Sequence, residues 1–150
     1  MLPALFAYAH HLAAFALVAA LVIELVTLRA TFTLDSARRL LDADRIYGIA
    51  AGVILIIGGL RVGFFEKTPA YYAHNGAFIA KVTLFLAVGL LSIWPTLKFL
   101  SWRRALAQGE LPHVKTETLA TLRRIVHLEL ALVALIILCA ALMAKGVGTF

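Results

Sequence analysis

The chain has 150 residues, 63% of them hydrophobic, with a mean hydropathy of +0.95. So much apolar surface cannot be hidden in a core this small, which excludes an ordinary water-soluble domain and makes the bilayer the natural solvent. The net charge of +6 would suggest nucleic acid in a soluble protein. Here the Lys and Arg cluster in two loops beside apolar runs, so they read as topology signals and as attraction to anionic lipid, with no nucleic-acid partner. The single cysteine, Cys139, lies in an apolar run, so no intramolecular disulfide or cysteine-based metal site is available.

A helical span needs roughly 20 mostly apolar residues, and only helices or closed barrels satisfy the backbone within lipid. Four segments qualify, at about 2–28, 46–65, 77–100 and 125–144. They predict an all-α, integral membrane four-helix transmembrane bundle forming a single domain over residues 1–150. Met1 to Tyr8 carries no Lys or Arg, so the first run reads as a retained helix rather than a signal peptide.

The first span carries His10, His11 and Glu24. His10 and His11 point about 100° apart; His10 shares a face with Ala7 and Ala14, so it is favoured as the inward one. Glu24 lies within about 40° of the His10 direction and should also point inward, paired with His127 or an arginine. The first loop holds Arg29, Arg38, Arg39 and Arg45, and the stretch from Asp35 to Asp44 suggests a short surface helix capped by Asp35. Span two begins near Asp44 and Tyr47. It carries Gly48, Gly52, Gly59 and Gly63 on one helical face, as two small-xxx-small motifs in register. That seam suits close helix packing or a homo-oligomer; alternatively, a flat cofactor lies on Gly52 and Gly59.

The second loop adds Glu66, Lys67, Tyr71, Tyr72 and His74, flanked by Arg61 on span two and Lys81 on span three. The third loop is basic again (Arg103, Arg104, Lys115, Arg123 and Arg124) and contains the helix breakers Gly109 and Pro112. Span four carries His127 and Glu129, with His127 on a small-residue face that suggests it points inward. Because positive loops stay cytoplasmic, the first and third loops are expected inside, with both termini and the second loop outside.

Ionisable groups at membrane depth are costly and are functional candidates by default. Those near the termini, His10, His11, Arg61 and Lys81, suggest a cofactor site. There His10 (with His11 as alternate) would ligate a b-type haem, and Arg61 and Lys81 would meet its carboxylates. A copper or zinc site on His10, His11 and His74 is the metal alternative. Toward the basic loops, Glu24, Asp44, Tyr47, His127 and Glu129 read as a structural polar cluster, with Glu66 and Lys67 as ion-pair partners in the second loop. The sequence has no H-E-x-x-H, Walker or G-x-G-x-x-G signature, so no enzyme activity is assigned. A cofactor-free scaffold or a small permease acting as a homo-oligomer is the competing reading.

The runs Asp44–Arg45–Ile46–Tyr47–Gly48, Gly58–Gly59–Leu60–Arg61–Val62 and Gly89–Leu90–Leu91–Ser92–Ile93–Trp94–Pro95–Thr96, with the His10–His11–Leu12 start, carry a family resemblance. Over essentially its whole length the chain resembles a bacterial family of small predicted inner-membrane proteins, domain of unknown function twenty-two fourteen. That resemblance implies an inner-membrane location and supplies no activity. More distantly, it is similar to four-helix, haem-b-containing protoporphyrinogen oxidases and to copper-resistance membrane proteins. The oxidases place a histidine early in span one and a lysine at the start of span three, where His10 or His11 and Lys81 stand; the copper-resistance proteins share the loose architecture. This second resemblance implies a haem or metal near the termini, not the oxidase reaction.

Overall fold

The computed structural model describes residues 1–65 and 74–147. The fold is an all-α bundle of four long helices. Helix α1 covers Leu2–Arg29; α2 covers Leu34–Leu60 and continues as a π-helical turn, Arg61–Phe65. Helix α3 covers Gly76–Ser101, the short α4 Arg103–Ala107, and α5 Thr116–Ala144. All four long helices are apolar enough and long enough to cross a membrane. At 1.5 Å per residue the 28-residue α1 is about 42 Å long, more than a ~30 Å hydrocarbon core, so its ends reach the head-group layers.

The helix starts follow local chemistry. Thr33 caps α2: its Oγ1 accepts from the Ser36 N–H at 3.2 Å, while Ser36 Oγ accepts from the Thr33 N–H at 2.7 Å. This reciprocal cap starts one uninterrupted helix, so the expected separate surface helix capped by Asp35 does not exist. Asp35 instead sits in the first turn of α2, where a carboxylate favours the positive end of the helix dipole. Asn75 caps α3 by accepting from the Phe78 N–H at 2.9 Å. Gly109, with φ 74, ends the α4 segment in the left-handed conformation that glycine adopts without strain.

Helix α1 packs mainly on α2 and also on α5, and α5 packs on α3. The α2–α3 seam is the weakest side and opens as a cleft. Among the described residues, the fully buried apolar side chains lie from about mid-helix to the basic-loop end. Leu21, Leu40, Phe99, Leu122 and Val126 form its centre. Trp102 closes that end, edge-on to Phe32 at 5.4 Å and to Phe99 at 5.2 Å. Toward the termini the helices carry few buried side chains and frame a second cleft. Leu5, Phe15, Ile56, Leu90 and Ile137 are all more than half exposed, as a lipid-facing surface requires.

Candidate functional site

The cleft at the termini end has a volume of about 840 Å³ and draws on four helices. His10 comes from α1, Gly58 and Arg61 from α2 and its π-helical extension, and Phe78 and Lys81 from α3. Ile136, Ala140 and neighbouring apolar residues of α5 form the remaining wall. The half-buried His10 turns inward, and a Cβ on Gly58 would meet its Cε1 at 3.5 Å and its Nδ1 at 3.9 Å. The imidazole therefore lies over Gly58 with room for a methyl group in ordinary contact, but not for a larger side chain. His11 also borders the cleft but is exposed, and its Nδ1–H donates to the Ala7 carbonyl at 2.6 Å. The Lys81 ammonium lies 5.4 Å from the centre of the Phe78 ring, a cation–π distance that holds it on the cleft wall.

His10, Arg61 and Lys81 thus meet around one cavity, but other expectations are corrected. The metal triple does not assemble. Among the described residues no group of three or more His, Cys, Asp or Glu is placed to hold a metal ion, and His74 is exposed. Gly59 is exposed and Gly52 is half-buried; neither lines the cleft, where Gly58 stands instead. Among the described residues the glycine seam is not a packing seam within the bundle either. A Cβ on Gly48, Gly52, Gly59 or Gly63 would meet nothing within 4 Å. Glu66 and Lys67 lie outside the described residues.

The second polar group sits inside the well-packed half. Glu24, Asp44 and Glu129, from α1, α2 and α5, are all buried. Glu24 has Asp44 and Glu129 as electrostatic neighbours, and Glu129 has Asp44. The Thr96 hydroxyl of α3 donates to Asp44 Oδ1 at 2.6 Å. This overturns the expected Glu24–His127 or Glu24–arginine pair. His127 is exposed, its Nε2 accepts from the Arg29 guanidinium at 2.8 Å, and its Nδ1–H donates to the Arg123 carbonyl at 3.2 Å. Arg29 is therefore engaged at the surface rather than with Glu24. Sequence reading missed Gly58, Arg29, Ser92 and Thr96. Only the last two left a trace, a pair of hydroxyl residues four apart on one helical face.

Asp44, Tyr47, Ser92 and Thr96 also line the α2–α3 cleft, about 660 Å³, which runs out to the exposed Asp42, Arg45 and Arg103 at the basic-loop end.

A family profile described as predicted membrane protein, DUF2214, matches residues 2–148. No curated protein and no solved structure matches the chain.

Proposed function

The chain belongs to the DUF2214 family of predicted membrane proteins, and from that premise we propose that it is a multi-pass protein of the bacterial inner membrane that binds b-type haem at its termini end. Both termini are periplasmic in this reading, because the loops rich in Lys and Arg stay cytoplasmic.

One observation carries the ligand assignment: the imidazoles of His10 and His11 and the cations of Arg61 and Lys81, from three helices, border a single cleft of about 840 Å³ whose remaining lining is apolar. That donor set suits a flat apolar ring with carboxylate arms. His10 would hold the iron, Arg61 and Lys81 would meet the carboxylate arms, and the α5 wall with Gly58 would line the ring. Haem in such a site would supply one-electron redox chemistry, while these residues bind it, orient it and exclude water.

The visible absorption spectrum of the purified protein tests this reading. The expected result is a Soret band that disappears in His10→Ala and survives His11→Ala, since the exposed His11 already donates to its own helix. A colourless protein after expression with added haem precursor overturns the proposal. Metal analysis of the same sample tests the copper alternative.

The second reading is a cofactor-free scaffold or small permease acting as a homo-oligomer. Its support is the open glycine face of α2, where Gly48, Gly52, Gly59 and Gly63 have free space in front of them. A colourless sample whose mass in mild detergent is a multiple of the monomer, and falls to one copy in Gly52→Leu, favours it.

A further inference from the structure

Three carboxyl groups share the best-packed part of the bundle. Glu24 is 2% exposed, Asp44 7% and Glu129 1%. Burial penalises each ionised carboxylate, and their mutual repulsion adds to the penalty. A counter-cation would relieve it, yet among the described residues the charges that act on Glu24 are the acidic Asp44 and Glu129. Arg29, the basic residue nearest Glu24 along α1, is engaged with His127 instead. Arg45 and Arg103 stand exposed at the far mouth of the α2–α3 cleft. Among the described residues no group of three or more His, Cys, Asp or Glu side chains is placed to hold a metal ion.

A second observation points to the missing species. Glu24 Oε1 and Glu129 Oε1 are both buried, and neither has a hydrogen-bond partner among the described residues. Asp44 differs: it accepts from Thr96 and forms part of the cleft wall. The cluster therefore has an outer member in contact with a route to water and two inner members that each bury a carboxyl oxygen without a hydrogen-bond partner among the described residues. The smallest positive charge that fits is a proton.

We infer that Glu24, Asp44 and Glu129 form a proton-binding site that exchanges with water through the cleft between α2 and α3. Glu24 and Glu129 hold the stored proton, and Asp44 passes it between them and the cleft. In uptake, a hydronium ion in the cleft protonates an Asp44 oxygen, and that proton moves inward to a glutamate carboxylate, leaving Asp44 ionised again. Release reverses these steps. The groups that tune the exchange come from every element around the site. Tyr47 flanks Asp44 on α2, and Ser92 and Thr96 face it from α3. Asp42, Arg45 and the α4 residue Arg103 set the charge at the mouth. On α1 and α5, Arg29 and His127 neutralise each other's demand for a partner at the surface.

Infrared spectroscopy of the full chain in lipid nanodiscs tests the site. At neutral pH, in sodium-free choline buffer, the wild type should show the C=O stretch of a protonated carboxyl that shifts in D2O. The band should weaken in Glu24→Gln and in Glu129→Gln, which keep the side-chain shape. Adding sodium should leave it unchanged. Asp44→Asn should keep the band but slow its hydrogen–deuterium exchange about tenfold or more. Absence of the band in folded wild-type protein overturns the stored proton, and this measurement needs no variant. Loss of the band on adding sodium overturns the proton in favour of a metal cation. Exchange in Asp44→Asn at the wild-type rate overturns the role of Asp44.

Discussion

At the scale of single residues, polar atoms at membrane depth sort by what each can bond to. Thr96 is the plainest case, because its hydroxyl is the observed donor to Asp44 Oδ1. A hydrogen bond to a carboxylate contributes about 1.5–3 kcal/mol, so Thr96→Val should lower stability by that order, read as an earlier midpoint in detergent-driven unfolding. Arg29 and His127 are both exposed, and such surface pairs contribute little. Arg29→Ala should therefore leave the midpoint almost unmoved. Gly58 makes a size-dependent prediction. A methyl group there reaches only ordinary contact with His10, so Gly58→Ala should retain the wild-type spectrum. Gly58→Leu should push the imidazole out of the cleft and abolish the Soret band of the haem reading. His10 was legible in sequence because Ala7 and Ala14 share its face. The glycine opposite it was not, since contact across two helices has no signature in either one.

At the scale of elements, each helix has a packed half and an open half. In lipid the transfer of apolar surface out of water no longer separates inside from outside, so packing contacts carry the difference. Leu21 is 1% exposed and Leu5 is 60% exposed, although both are leucines of α1. Leu21→Ala should cost about 2 kcal/mol or more from lost contacts and the cavity left behind. Leu5→Ala should cost almost nothing in the same unfolding assay. Pro95, buried inside α3, denies the Leu91 carbonyl its usual helical donor one residue before Thr96, beside the α2–α3 cleft. The capping of α2 by Thr33 was present in sequence as a hydroxyl ahead of a helical run, but Asp35 competed for the same role. Only the reciprocal bonds with Ser36 distinguish them.

At the scale of the whole molecule, the charge asymmetry of the loops and the position of the two clefts make one testable arrangement. The third loop carries the basic residues and should face the cytoplasm, with the C-terminus on the other side. In a Cys139→Ser background, Val147→Cys should react with a membrane-impermeant thiol reagent in intact cells. Gln108→Cys should react only after the inner membrane is opened. The reverse pattern would invert the bundle and place the carboxylate cluster toward the periplasm.

The four crossings were determined by sequence alone, because length and hydropathy add up along a segment whatever its neighbours are. The grouping of His10, Arg61 and Lys81 near the termini was equally legible, since depth along a helix is counted in residues. What only the tertiary structure decided is direction around each helix axis. These helices are apolar on nearly every side, so no polar face marks the one that meets lipid and none marks the one that meets a neighbour. For that reason Glu24 meets Asp44 and Glu129 rather than His127, and His127 turns outward to Arg29. For the same reason the glycine face of α2 is open while Gly58, off that face, receives His10. Which side chains meet is set by the fit of four helices at once, a property that no single span contains.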